Sequence, residues 1–134
     1  MKENIIKDKS FSFAIQIIQL NNELVKRKEY ILSKQLIRSG TAIGALIRES
    51  EHAQSKADFI NKLSIALKEA NETLYWLELL VKTDFILEKD FLELSNKNEE
   101  LIKLLVSIIK TSKSRRWNFS LSIIHFSLSI KNLN

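Results

Sequence analysis

The sequence predicts an all-α protein, an antiparallel up-down four-helix bundle, on three observations. Apolar residues recur at intervals of three and four in four separate stretches. Those stretches are long and their connectors short, which makes consecutive helices antiparallel neighbours. The 134 residues hold no Pro and only two Gly, a composition foreign to turn-dense β folds. The bundle is expected over residues 1–112, with residues 113–134 as a separate tail.

The first helix is expected from about Ser10 to Lys28. Phe11, Ala14, Ile15, Ile18 and Val25 form one apolar stripe, and Phe13, Ile17, Leu20 and Leu24 form a second. Two stripes on one helix imply cover from two sides. Lys26, Arg27 and Lys28 suit the last turn, where cations meet the negative end of the helix dipole.

The second helix is expected from about Ser33 to His52, with Leu32, Leu36, Ile43 and Ile47 as its core stripe. Gly40 and Gly44 lie four apart and share a face. A Gly inside a helix costs ~1 kcal/mol against Ala, and close approach of a neighbouring backbone would compensate. The rival reading breaks the helix at Ser39-Gly40. Continuity is favoured because the apolar spacing stays in phase from Leu36 through Ile43 to Ile47.

The third helix opens on a capping box, Ser55 as N-cap with Asp58 three residues later. Phe59, Leu63, Ala66, Ala70, Leu74, Leu77 and Val81 then carry it to Thr83. At ~1.5 Å per residue this rod is on the order of 40 Å long. Trp76, Leu79 and Leu80 lie off its main stripe. The fourth helix spans about Glu88 to Thr111. Its stripe is Phe91, Leu94, Leu101, Leu105 and Ile108, interrupted by Asn98 and widened by Leu104 and Ile109.

Helices one and three carry more apolar surface than a lone bundle needs. The excess predicts self-association through further helix faces, as a homodimer or a cyclic ring. Phe13, Ile17, Gly40, Gly44, Trp76 and Leu80 are the candidate contacts between copies. In the tail, Phe119-Ser120-Leu121-Ser122-Ile123 and Phe126-Ser127-Leu128-Ser129-Ile130 alternate with period two. Such strand-like runs have no sheet to join here; a poorly ordered appendage and a docked segment both remain open.

The net charge of +5 is unevenly spread. Residues 1–68 carry 12 bases and 7 acids, residues 69–112 carry 5 bases and 9 acids, and the tail holds four bases with no acid. This is a basic half, an acidic quarter and a basic tail, not a uniformly basic nucleic-acid binder. The asymmetry marks either a polyanion-facing surface or charges that neutralise one another between subunits. No secretory core or membrane span is present, so a cytoplasmic protein is the default.

Catalytic chemistry finds little support. With no Cys there is no disulfide, thiolate metal site or thiol nucleophile. Glu49-x-x-His52 is the only metal-like spacing, and a di-iron bundle needs two such motifs plus two further carboxylates. His52 has no marked partner for nucleophile activation. Gly40-x-x-x-Gly44 lacks the Lys-Ser/Thr continuation of a phosphate loop. No enzyme, metal or cofactor is expected.

Two runs carry a family resemblance. The first is Leu32 to Glu49, LSKQLIRSGTAIGALIRE. The second is Ser55-Lys56-Ala57-Asp58-Phe59, continuing through Leu63–Ala70 to Glu72-Thr73-Leu74-Tyr75-Trp76-Leu77. Together they resemble the bacterial four helix bundle proteins, also called 23S ribosomal RNA intervening-sequence proteins, over about residues 3–112. Ala42 and Leu46 stand where the family usually has Ser and Asn, which bears on polar roles at those sites and not on the fold. The resemblance implies a left-handed bundle that assembles into homopentameric rings, with no enzymatic activity. A related group is the accessory protein of diversity-generating retroelements, whose ring binds nucleic acid and a reverse transcriptase.

Function is therefore expected to lie in binding. Lys34 and Arg38 share a face of helix two, and Arg48 falls within about 80° of them at 100° per residue. Repeated around a ring, these cations would form a band for RNA or DNA phosphates, joined by Arg115 and Arg116 of the tail. The competing reading is salt bridging of Arg38 or Arg48 to Glu49 or Glu69. Tyr75 and Trp76 are expected to pack, with base stacking as the alternative. The second functional expectation is an adaptor whose acidic helices three and four bind a basic partner such as a reverse transcriptase; a mobile-element passenger without activity is the third.

Overall fold

The computed structural model describes residues 4–114. Residues 115–134 of the tail, with Arg115, Arg116 and the alternating runs, lie outside the described residues. Four helices follow one another: α1 (Ile5–Lys26), α2 (Ile31–Ser50), α3 (Lys56–Lys82) and α4 (Glu88–Ser112). α1 packs on α2, α2 on α3, α3 on α4 and α4 back on α1, which closes a four-sided bundle. Cross-links show the antiparallel order. Lys7 pairs with Glu51 and Arg38 with Glu69, while Lys97 reaches Gln16 and Lys56 reaches the Ser114 carbonyl.

α1 begins five residues before its expected start. Asn4 is its N-cap, the side chain accepting the Lys7 amide at 3.3 Å, so Ile6 and Ser10 join the buried face. α2 runs unbroken through Ser39-Gly40, as favoured. Its start is capped by Glu29, whose carboxylate accepts the amides of Ile31, Leu32 and Ser33 at 3.2, 3.0 and 2.7 Å. Three of the four orphan donors of that helix end are thereby satisfied. α3 opens on Ser55, which accepts the Asp58 amide at 3.0 Å.

α1 and α3 end alike. Lys28 (φ 63°) and Asp84 (φ 62°) sit in the left-handed region. The next amides, Glu29 and Phe85, reach back to Leu24 and Leu80 at 2.9 Å, as in a Schellman motif. Arg27 joins the two turns. It donates to the carbonyls of Asp84 and Phe85 and lies 5.2 Å from the Phe85 ring centroid.

The core corrects the assignment of apolar faces. On α1 the second stripe faces inward: Phe13, Ile17 and Leu24 are buried, with Leu20 packed against them. The first stripe faces out, with Phe11 53%, Ile15 42%, Ile18 41% and Val25 42% exposed. On α3 the buried line passes through Thr73 and Leu80 in place of Leu74 and Val81. Phe13, Ile17 and Leu80 therefore belong to one chain's core and are not contacts between copies.

Gly40 and Gly44 are corrected likewise. A Cβ at Gly40 would stand 2.9 Å from both Cγ atoms of Ile17, and one at Gly44 would stand 3.3 Å from Ser10 Oγ. Both glycines let α2 approach α1 within the chain, where they are buried. Trp76 is half-buried and packs against the core edge.

Buried polar groups find local partners at mid-bundle. The hydroxyls of Ser39 and Thr73 lie 3.0 Å apart across α2 and α3. Asn98 of α4 donates to the Ala70 carbonyl at 2.8 Å, and its own Oδ1 has no hydrogen-bond partner among the described residues.

Candidate functional site

The three cations nominated in α2 do not form one band. Arg38 turns toward α3, where its guanidinium lies 3.1 Å from Glu69 and 2.6 Å from Glu72. The hydrogen bond from Arg38 holds the Glu72 carboxyl below its ordinary range, and the same bond raises Arg38. The Arg38 charge is thus matched by two carboxylates within the chain. The Trp76 indole N–H lies near Glu72 without reaching hydrogen-bond geometry.

Arg48 turns the other way. Its guanidinium carbon lies 5.0 Å from the Phe11 ring centroid, a cation–π contact at the edge of the α1 stripe. It makes no ion pair among the described residues. Lys34 is exposed and likewise has no ion partner among them. Glu49 pairs with Lys62 at 3.6 Å, not with an arginine. Of the salt bridges weighed from the sequence, Arg38 to Glu69 forms.

Two surfaces went unassigned in the sequence. One is the outward stripe of α1, which was visible as a stripe but not as the exposed one. The other is a groove between α3 and α4 of about 320 Å³, lined by Leu79, Val81 and Phe91 beside Tyr75 and by the charged Glu78, Lys82 and Glu88. Only the register of α4 on α3 brings residues 78 and 88 together. Tyr75 is exposed and meets Trp76 edge to face, with ring centroids 5.0 Å apart.

The metal-like pair Glu49 and His52 is exposed at the end of α2. Among the described residues no group of three or more His, Asp or Glu side chains could hold a metal ion. No helix among them is long and apolar enough to cross a membrane.

A family model described as 23S rRNA-intervening sequence protein matches residues 2–107. One similar solved structure is a protein of unknown function from the S23 ribosomal protein family of Bacteroides thetaiotaomicron. It is 58% identical, with a TM-score of 0.78, over 78% of this chain and 98% of that chain. No curated protein matches significantly.

Proposed function

Because the chain belongs to the 23S rRNA-intervening sequence protein family, we propose that it works as a non-enzymatic scaffold. Copies assemble into a cyclic homo-oligomer, of five by the family resemblance, and the assembly holds RNA or DNA through phosphates without reading sequence. The observation that carries this is the outward stripe of α1, four large apolar side chains that the described residues leave about half exposed.

Assembly bears on binding because one exposed cation contributes little alone. Lys34 repeated once per copy becomes a set of charges whose contacts reinforce one another. Arg38, neutralised by Glu69 and Glu72, drops out of that set. Filter binding of a generic RNA and a generic DNA across salt concentrations tests the reading. Log affinity is expected to fall linearly with log salt, and no retention at low salt overturns it.

A further inference from the structure

Resting on the self-association just proposed, we infer that the α1 stripe of one copy seats in the α3–α4 groove of the next. The two surfaces lie on opposite sides of the bundle. The stripe leans toward α2, since Arg48 of α2 lies over Phe11. The groove lies on the α3–α4 side, diagonally across the closed ring of helices.

The surfaces match in chemistry as well as in placement. Phe11, Ile15, Ile18 and Val25 offer an apolar ridge. Leu79, Val81 and Phe91 offer an apolar floor. Beside the ridge lies Arg48, and the groove is lined by Glu78 and Glu88 with Lys82, two acids against one base. Arg48, Glu78 and Glu88 have no ion pair among the described residues. Stripe against stripe would instead set Arg48 facing Arg48 and leave the groove open. Unlike surfaces on opposite sides join head to tail, which generates a ring or a filament and not a two-fold dimer.

Mixing two blocked variants of the full chain tests the assignment by light scattering. Ile15→Lys with Ile18→Lys blocks the stripe; Tyr75→Lys with Glu78→Lys blocks the groove. Both add positive charge, so the two blocked surfaces cannot re-pair. Each variant alone is expected to be a folded monomer of about 15.6 kDa, with helicity checked by circular dichroism. Their equimolar mixture is expected to double that mass and stop there, because one intact stripe meets one intact groove.

A groove variant that still assembles alone, or a mixture that stays monomeric beside an assembled wild type, overturns the assignment and leaves self-association standing. A monomeric wild type at high concentration overturns self-association itself. Should a double substitution unfold the chain, Ile18→Lys and Glu88→Lys taken singly make the same comparison.

Discussion

At the scale of single residues, Gly40 shows how a sequence feature takes its meaning from a partner. A Cβ there would press on both Cγ atoms of Ile17 at 2.9 Å. Ile17 is β-branched and held to one rotamer in a helix, so it cannot turn aside. Overpacking costs about 1–3 kcal/mol, against which Ala regains about 1 kcal/mol of helix propensity. Gly40→Ala is therefore expected to destabilise by about 1 kcal/mol net. In an Ile17→Ala background the crowding atoms are gone, and the same substitution is expected to stabilise. Chemical denaturation of the four-member cycle checks this; equal effects in both backgrounds would show that Ile17 is not the constraint. The helical spacing of the two glycines was legible from residue numbers, and so was the need for a close neighbour. That the neighbour is α1 of the same chain was not, because either α1 stripe satisfies the pattern.

The Arg38–Glu72 pair makes a second residue-scale prediction, with a definite sign. Glu72 is held below its ordinary range mainly by the hydrogen bond from Arg38. Its contribution to stability is present above the carboxyl value of the unfolded chain and is lost as pH falls through the lower folded value. Arg38 is half-exposed, so the pair is worth at most about 1 kcal/mol. Glu72→Gln is expected to lower stability slightly at neutral pH, with the difference from wild type vanishing in strong acid. Thermal unfolding across that range measures it, and a difference that persists in acid would assign the effect to packing.

At the scale of helices, legibility depended on whether one apolar face was present or two. α4 has one, and its expected end, Thr111, lies one residue from the observed Ser112. α3 has near-equivalent choices at 73–74 and 80–81, and packing against α2 and α4 selects Thr73 and Leu80. α1 departs from expectation both in its start and in its inward face. The charges of Lys2, Glu3, Lys7, Asp8 and Lys9 masked the spacing of Ile6, Ser10 and Phe13, and the early start it implies. Asn98 is the interruption the sequence did expose, and it is fully buried. One amide hydrogen bond ties it to Ala70, while its Oδ1 is orphaned. An unsatisfied buried acceptor costs about 1–3 kcal/mol, more than the about 1 kcal/mol the formed bond returns. Asn98→Leu is thus expected to raise the melting temperature. A fall would mean that Oδ1 is satisfied by buried water in solution.

At the scale of the whole molecule, the uneven charge of the sequence is resolved partly inside the bundle and partly at its surface. Arg38 is consumed by α3, and Arg48 stays beside the α1 stripe. Among the three exposed cations nominated in α2, Lys34 is the one with neither an ion pair nor a ring contact among the described residues. A salt titration then counts copies. Each phosphate contact contributes about 0.9 to the slope of log affinity against log salt for duplex DNA. In a single chain, Lys34→Ala would lower that slope by about 0.9. In a cyclic assembly the one substitution removes a contact from every engaged copy, so the slope is expected to fall by a multiple of that amount. Arg38→Ala is expected to leave the slope where it was, since its charge is already matched by Glu69 and Glu72. A Lys34→Ala slope equal to wild type would remove α2 from the nucleic-acid surface. A drop of one contact only would show that assembly, however large, presents its copies to the polyanion one at a time.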